Sequence, residues 1–307
     1  MASLVSFVMP AWRPRRDWLA AAVESVLAEP GCDLELVIVD DGSPEPVEPL
    51  IADVRDERVR VIRAEHAGQS AARNAGVDAA RGTHIRFVDC DDVVVAGGTA
   101  HLLALAEDAD DVITYAAMQL CDEALEPQRL VACNIQGDAE TACLLDRFPV
   151  QQPAMLFPRR VVDAAGGWDV SVDVMADWEW MLRALGHAPV RGDDRPVYLY
   201  RRHLDSIQGR ASQEQCEAVH HRIVSAYFQR HPDRAGGALE RRARATPHLK
   251  YARTYLREGR RRNALDRLVR GLLLDPPAGA KTAAALALRE ARLARRGSRA
   301  RSSGPSA

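Results

Sequence analysis

Residues 87–92 read Phe87-Val88-Asp89-Cys90-Asp91-Asp92. The run His84–Val88 predicts a buried strand, and the acids follow at its carboxyl end. Two carboxylates separated by one residue, Asp89 and Asp91, can hold a hard divalent cation between oxygen ligands. An ordinary acidic strand-to-loop turn gives the same letters, because Asp is common in turns. The residues before and after the run decide between the two readings.

Upstream, short β-branched runs alternate with helical stretches. Leu4–Met9, Leu34–Val39, Val59–Ile62 and His84–Val88 are the strands, with Arg16–Ala28 and Gly68–Ala80 as the helices between them. That alternation predicts stacked βαβ units and an α/β fold with a mostly parallel central sheet. Asp40-Asp41-Gly42-Ser43 and Asp89-Cys90-Asp91-Asp92 close two of the strands. Ligands of open α/β sheets bind just beyond such carboxyl ends.

Downstream, Asp111–Ala117, Ala154–Phe157 and Val197–Arg201 predict further strands, with helices at Arg159–Ala165 and Asp177–Gly186. From Gln213 onward every segment is helical. Tyr251–Pro276 is similar to one helix-turn-helix unit of the tetratricopeptide kind, with Gly259 at the turn and Pro276 as the stop, and a single such unit makes an appendage. The expected domains are 1–210 as the α/β body, 211–296 as a basic helical appendage and 297–307 as a small, basic, disordered tail.

The 307 residues are 47% hydrophobic and 27% charged, as in a globular protein, which excludes collagen, disorder or coiled coil as the whole answer. No apolar run reaches the roughly 18 residues a membrane span needs, and Met1–Trp12 lacks the basic-then-apolar order of a signal peptide. Six cysteines without a C-x-x-C pair fit a reducing cytosol. The net charge of −2 hides an asymmetry: residues 230–307 carry 20 basic and 6 acidic residues, leaving 21 basic and 37 acidic before them. The basic segment is therefore a candidate for peripheral contact with an anionic membrane at the cytoplasmic face. Nucleic acid is not expected, since no reading motif accompanies the charge.

Four segments in order, Val5-Ser6-Phe7-Val8-Met9-Pro10, Val37-Ile38-Val39-Asp40-Asp41-Gly42-Ser43, Ser70-Ala71-Ala72-Arg73-Asn74-Ala75-Gly76 and Phe87-Val88-Asp89-Cys90-Asp91-Asp92, together resemble the family 2 glycosyltransferases. The resemblance covers about residues 3–205. It implies a GT-A fold and inverting transfer of a sugar from a nucleotide-diphospho-sugar donor to a saccharide, lipid-linked or other hydroxyl acceptor, with Mn²⁺ or Mg²⁺. By the same resemblance Pro10, Asp40, Asp41 and Arg73 lie at the donor nucleotide. Asp89 and Asp91 form the D-x-D pair, with Asp91 as the direct metal ligand and Asp89 nearer the ribose.

Two later blocks extend the resemblance. Gly166-Gly167-Trp168-Asp169 followed by Ala176-Asp177-Trp178-Glu179 is similar to the acceptor-side region, which makes Asp177 the general base, although Ala176 stands where a Glu is usual. A carboxylate at a helix start stays ionised and can take a proton from a hydroxyl, while the same Asp also serves as a helix cap. Tyr200-Arg201-Arg202-His203, with Ser206 beyond, resembles the end of the catalytic domain, implying Arg202 at the diphosphate and His203 at the metal. After Pro10 the sequence departs to Ala11-Trp12-Arg13, where Trp12 offers a ring for stacking.

Other classes fit less of the chain. Haloacid dehalogenase-like phosphatases also place D-x-D after a strand but need a downstream lysine followed by an acidic pair, and neither Lys250 nor Lys281 is followed by one. No G-x-G-x-x-G follows a strand, against a nicotinamide dehydrogenase. A catalytically silent nucleotide-sugar-binding module keeps the D-x-D and loses the base, so Asp177 separates it from an enzyme.

Overall fold

The structure, a computed structural model, describes residues 3–107, 109, 111–203 and 211–288. Ser206 and the tail 297–307 lie outside the described residues. The chain divides into two compact units, Met1–Arg210 and Ala211–Ala307.

In the first unit the strands are β1 (Leu4–Ala11), β2 (Asp33–Asp41), β3 (Val59–Ala64), β4 (His84–Phe87), β5 (Val93–Val94), β6 (Ile113–Cys121), β7 (Pro127–Val131), β8 (Met155–Pro158) and β9 (Val190–Arg201). They form one sheet in the order β3-β2-β1-β4-β8-β6-β9-β5, with β7 added beside β6. β1, β2, β3 and β4 pair in parallel. β8 then enters antiparallel to both β4 and β6, and β6 pairs in parallel with β9. Six of the nine strands therefore run one way, and β5, β7 and β8 run the other. This is the mostly parallel α/β sheet expected from the sequence.

The helices are α1 (Arg16–Leu27), α2 (Gln69–Ala79), α3 (Gly98–Ala106), α4 (Glu140–Leu144), α5 (Arg159–Ala165) and α6 (Ala176–Ala184). α1 buries Leu19, Ala22, Val23 and Val26, the stripe its apolar spacing dictates. β1 and β2 are buried nearly throughout, as parallel strands covered on both faces must be. α2 rides unusually close to β1: a Cβ on Gly76 would lie 2.4 Å from Val8 Cγ1, so only glycine fits there. The strands and α2 extend or retract by one to four residues from the sequence reading, except β9, which starts seven residues earlier at Val190; cross-strand pairing carries the extended backbone past the apolar run.

An aromatic cluster fixes α6 against the sheet. Trp168 and Trp180 stack at 4.1 Å and 7°, and Phe87 and Phe157 meet the Trp180 ring edge-on at 5.4 and 5.1 Å. Trp180 Nε1 donates to the Gly166 carbonyl at 2.8 Å, so the indole is satisfied where it is buried. The first residues of α6 are thereby held in one place.

The second unit is helical: α7 (Gln213–Arg230), α8 (Ala238–Arg257), α9 (Arg261–Leu274) and a further helical stretch over 276–288. Ser212 caps α7 by accepting the Gln215 N–H at 3.1 Å. Gly259, at φ +77°, makes the α8–α9 turn as expected. The helix-turn-helix unit differs from the sequence reading at both ends. Its first helix starts at Ala238, well before Tyr251, and Pro276 opens the next helical stretch after a break at Asp275, the first-turn position that proline tolerates.

Candidate active site

Parallel pairing brings three strand ends together. Pro10 and Ala11 of β1 lie opposite Val39 and Asp40 of β2, and Val8 lies opposite Phe87 of β4. One edge of the sheet thus carries Trp12, Asp40–Asp41 and Asp89–Asp92. Pro10 itself is buried within β1.

Asp40 and Asp41 are buried and organise loops. Asp40 accepts the Ser43 and Val47 N–H groups at 2.9 and 3.2 Å and pairs with Arg63 at 3.0 Å. Asp41 accepts from Ala67 N and Gly68 N at 2.9 and 3.0 Å and meets His66 Nδ1 at 2.9 Å. Directly after Asp41, Gly42 sits at φ +64°, where a Cβ would come within 2.5 Å of His66 N. The result is a shelf in which half-exposed Trp12 stacks on His66, centroids 5.0 Å apart at 16°. His66 was not among the candidates from sequence; its signal is the Glu-His-Ala-Gly segment just ahead of α2.

Arg73 is buried and donates from Nη2 to Asp89 Oδ1 at 3.1 Å, and Gln69 reaches the same oxygen at 3.2 Å. Its Nε is buried without a hydrogen-bond partner among the described residues. Asn74, next to it, exchanges two hydrogen bonds with the Trp168 backbone. The Ser-Ala-Ala-Arg-Asn stretch therefore bonds to both the D-x-D and the Gly-Gly-Trp block.

Around Asp91 the chain's far end closes in. His203 Nε2 lies 2.9 Å from Asp91 Oδ2, and the imidazole packs edge-on to Trp18 at 4.8 Å. Arg201 Nε donates to the Asp91 carbonyl at 2.7 Å, and the Arg201 N–H donates to Asp92 Oδ1 at 2.6 Å. Arg201, not among the candidates from sequence, is the buried arginine on the acidic loop, while Arg202, expected at the diphosphate, is exposed and its backbone N–H bonds to the Cys121 carbonyl. The side chain that faces the loop is set by the alternation along the end of β9. Asp92, also unassigned from sequence, is the buried anchor for that strand end.

Electrostatics follow from the crowding. Burial raises the Asp89 pKa; Arg73 opposes this, and the charges of Asp91 and Asp177 add to it. Burial, then the charges of Asp91 and Asp89, pushes the Asp92 carboxyl well above the ordinary range. Concentrated negative charge of this kind favours a cation. Asp89, Asp91 and His203 supply carboxylate and imidazole donors, and His203 Nδ1 is buried without a hydrogen-bond partner among the described residues. This donor set fits a Mn²⁺ or Mg²⁺ ion.

Asp177 stands in the first turn of α6, and its Oδ1 accepts the Trp178 N–H at 2.8 Å. Its charge is a minor contributor to the raised Asp89 pKa, after burial and the charges of Arg73 and Asp91. Glu179, two residues on, is of another kind: it is buried and held in a three-contact pair with Arg183 at 2.9–3.2 Å, while Arg183 Nη2 donates to the Gly167 carbonyl. Glu179 is a scaffold residue.

A mostly parallel sheet ending in a D-x-D loop defines a GT-A-type body. A profile of the family described as Glycosyl transferase family 2 matches residues 6–160, and the chain belongs to that family. It is 38% identical over 112 residues to the uncharacterised glycosyltransferase EpsJ of Bacillus subtilis, covering 36% of this chain and 31% of that protein. It is 43% identical over 91 residues to the succinoglycan biosynthesis protein ExoO of Rhizobium meliloti, covering 29% and 26%. The matched stretch spans about a third or less of the length of these relatives. In fold it is similar to residues 1–349 of S. aureus TarS, solved in complex with UDP-GlcNAc, with a TM-score of 0.65 and 16% identity, over 87% of this chain and 81% of that one. Nothing in the arrangement supports the phosphatase reading. The chain's two lysines lie on helical segments of the second unit.

Proposed function

We propose that the protein transfers a sugar from a nucleotide-diphospho-sugar to a hydroxyl acceptor, with inversion by a single displacement. The observation that carries this reading is the acidic loop Asp89–Asp92 at the end of β4, on which Arg73, Arg201 and His203 converge, with the block that leads into α6 tied to the Arg73 helix through Asn74 and Trp168. A base and a donor-side acidic pair facing one pocket are what transfer to a hydroxyl needs.

In this reading Trp12 and His66 form the platform for the nucleobase, with Asp40 and Asp41 fixing the loops beneath it. Arg73 positions Asp89 toward the ribose. Asp89, Asp91 and His203 hold the divalent cation, which when bound supplies positive charge against the departing diphosphate. Arg201 holds the loop that carries Asp91. Asp177 takes the proton of the acceptor hydroxyl as it attacks, its Oδ1 kept in place by the Trp178 N–H. Pro10 and Arg202 flank the donor cleft without a direct bond to the acidic loop.

Among the described residues no helix is long and apolar enough to cross a membrane. The basic C-terminal segment is assigned a peripheral role at an anionic surface, supported by its arginines and by exposed Leu265, Val269 and Leu273 on α9. The test of the main reading is a transfer assay against a panel of nucleotide sugars, beginning with UDP-sugars because TarS is solved with UDP-GlcNAc. Manganese-dependent release of a nucleoside diphosphate with one donor supports it. Manganese-dependent binding without release under any acceptor mixture favours the silent binding module.

A further inference from the structure

In the second unit, α7 carries Glu217 and His221 one turn apart, and α8 brings His248 against them. The ligand atoms of the three side chains all lie within 4.8 Å of one another. His221 Nε2 is 3.8 Å from Glu217 Oε1, and the two imidazole rings are 4.4 Å apart, centroid to centroid. We infer that Glu217, His221 and His248 bind a late first-row divalent cation of the zinc type, which ties α7 to α8.

Four observations support the inference. Two imidazoles and one carboxylate are a known zinc donor set, and tetrahedral ligation at such an ion sets ligand atoms about 3.4 Å apart, a closing of up to about 1.4 Å from the 4.8 Å spread, within reach of side-chain rotation. His248 Nδ1 is buried with no hydrogen-bond partner among the described residues, so one ring nitrogen beside the carboxylate lacks an acceptor or donor. Glu217 is almost wholly buried and is oriented by outer contacts: Tyr255 Oη donates to its Oε2 at 2.9 Å, and Arg267 Nε donates to its Oε1. His221 and His248 are only half-buried, so an ion can reach the ring nitrogens from solvent.

Arg244, Arg267 and Arg270 are the cations that act on these rings. They oppose a second positive charge, and Glu217 offsets them. Three protein ligands leave a fourth position for solvent. The site is separate in sequence and in chemistry from the D-x-D loop, which is built mainly of oxygen donors.

The experiment uses the full chain without an affinity tag, stripped by chelator, with Asp91→Ala introduced so that the D-x-D loop does not report. Titration with Co²⁺ is followed by the visible absorption of a low-coordinate nitrogen–oxygen site, and Zn²⁺ competition gives affinity and stoichiometry. One ion per chain, with a rise in melting temperature on adding Zn²⁺, is expected. His221→Ala and His248→Ala in the same background should weaken binding by at least about 100-fold. Absence of binding in the Asp91→Ala chain, or equal binding in the histidine variants, overturns the assignment. Should the alanine variants not fold, carbethoxylation of the Asp91→Ala chain decides: protection of His221 and His248 by Zn²⁺ supports the site, and unchanged labelling overturns it.

Discussion

Asn74 and Trp168 lie 94 residues apart in the chain and exchange two hydrogen bonds: Asn74 Nδ2 donates to the Trp168 carbonyl at 3.0 Å, and the Trp168 N–H donates to Asn74 Oδ1 at 2.7 Å. One helix turn of α2 therefore holds Asp89 through Arg73 and the aromatic cluster under α6 through Asn74. Asn74→Ala leaves both Trp168 groups short of a partner and is expected to cost about 2–3 kcal/mol by chemical denaturation. Asn74→Asp keeps the acceptor for the Trp168 N–H and should lose less. Equal stability of Asn74→Ala and the parent would show that the link is idle.

Asp91 sits on a loop with its side chain about one-third exposed, so Asp91→Ala should keep the fold. Calorimetric titration of a nucleoside diphosphate with manganese and with chelator should show a metal-dependent gain in the parent and none in the variant. An unchanged gain in Asp91→Ala would remove Asp91 from the metal site.

Glu35, buried in β2, gives a pH signature. Burial alone would raise its pKa, but hydrogen bonds from Ser6, from the Arg81 backbone and side chain and from Arg60 outweigh this and lower it to about 2 from 4.5. The folded carboxyl is more acidic than the unfolded one, so its stabilisation is complete above pH 4.5 and is lost as pH falls toward 2. The size is about 3 kcal/mol. Denaturation curves between pH 7 and pH 2 should show this loss in the parent and a flatter acid limb in Glu35→Gln. Parallel limbs would contradict it.

The basic helices make a separate claim about surfaces. Arg241, Arg257 and Arg262 are exposed. If each contributes about 1 kcal/mol at an anionic bilayer, the triple Gln variant should partition to anionic vesicles more than tenfold less than the parent, and salt should narrow the gap. Equal flotation of the two chains would assign these arginines to a solvated face.

Much of the body was legible because its signals are local. The apolar runs of β1, β2 and β4 and the acids at their ends mark both the sheet and its binding edge. What the sequence hid depends on contacts between distant segments. The stack of Trp12 on His66 requires Asp41 to fold the loop between β3 and α2, and the burial of Arg201 beside exposed Arg202 depends on where β9 stops alternating. Glu179 and Asp177 look alike as letters, and only the Arg183 clamp marks Glu179 as a scaffold carboxylate. The two-residue β5 and the polar β7 carry too little apolar pattern to be read as strands.

The central claim is that Asp177 is the base for sugar transfer. Asp177→Asn retains shape and can still accept the Trp178 N–H through its amide oxygen, but it no longer takes a proton. With the donor identified by the panel, turnover is measured beside donor affinity and melting temperature. The expected result is a fall in turnover of roughly 10²–10⁴-fold with the other two unchanged. Transfer at the parental rate by a fully folded Asp177→Asn chain would contradict the mechanism.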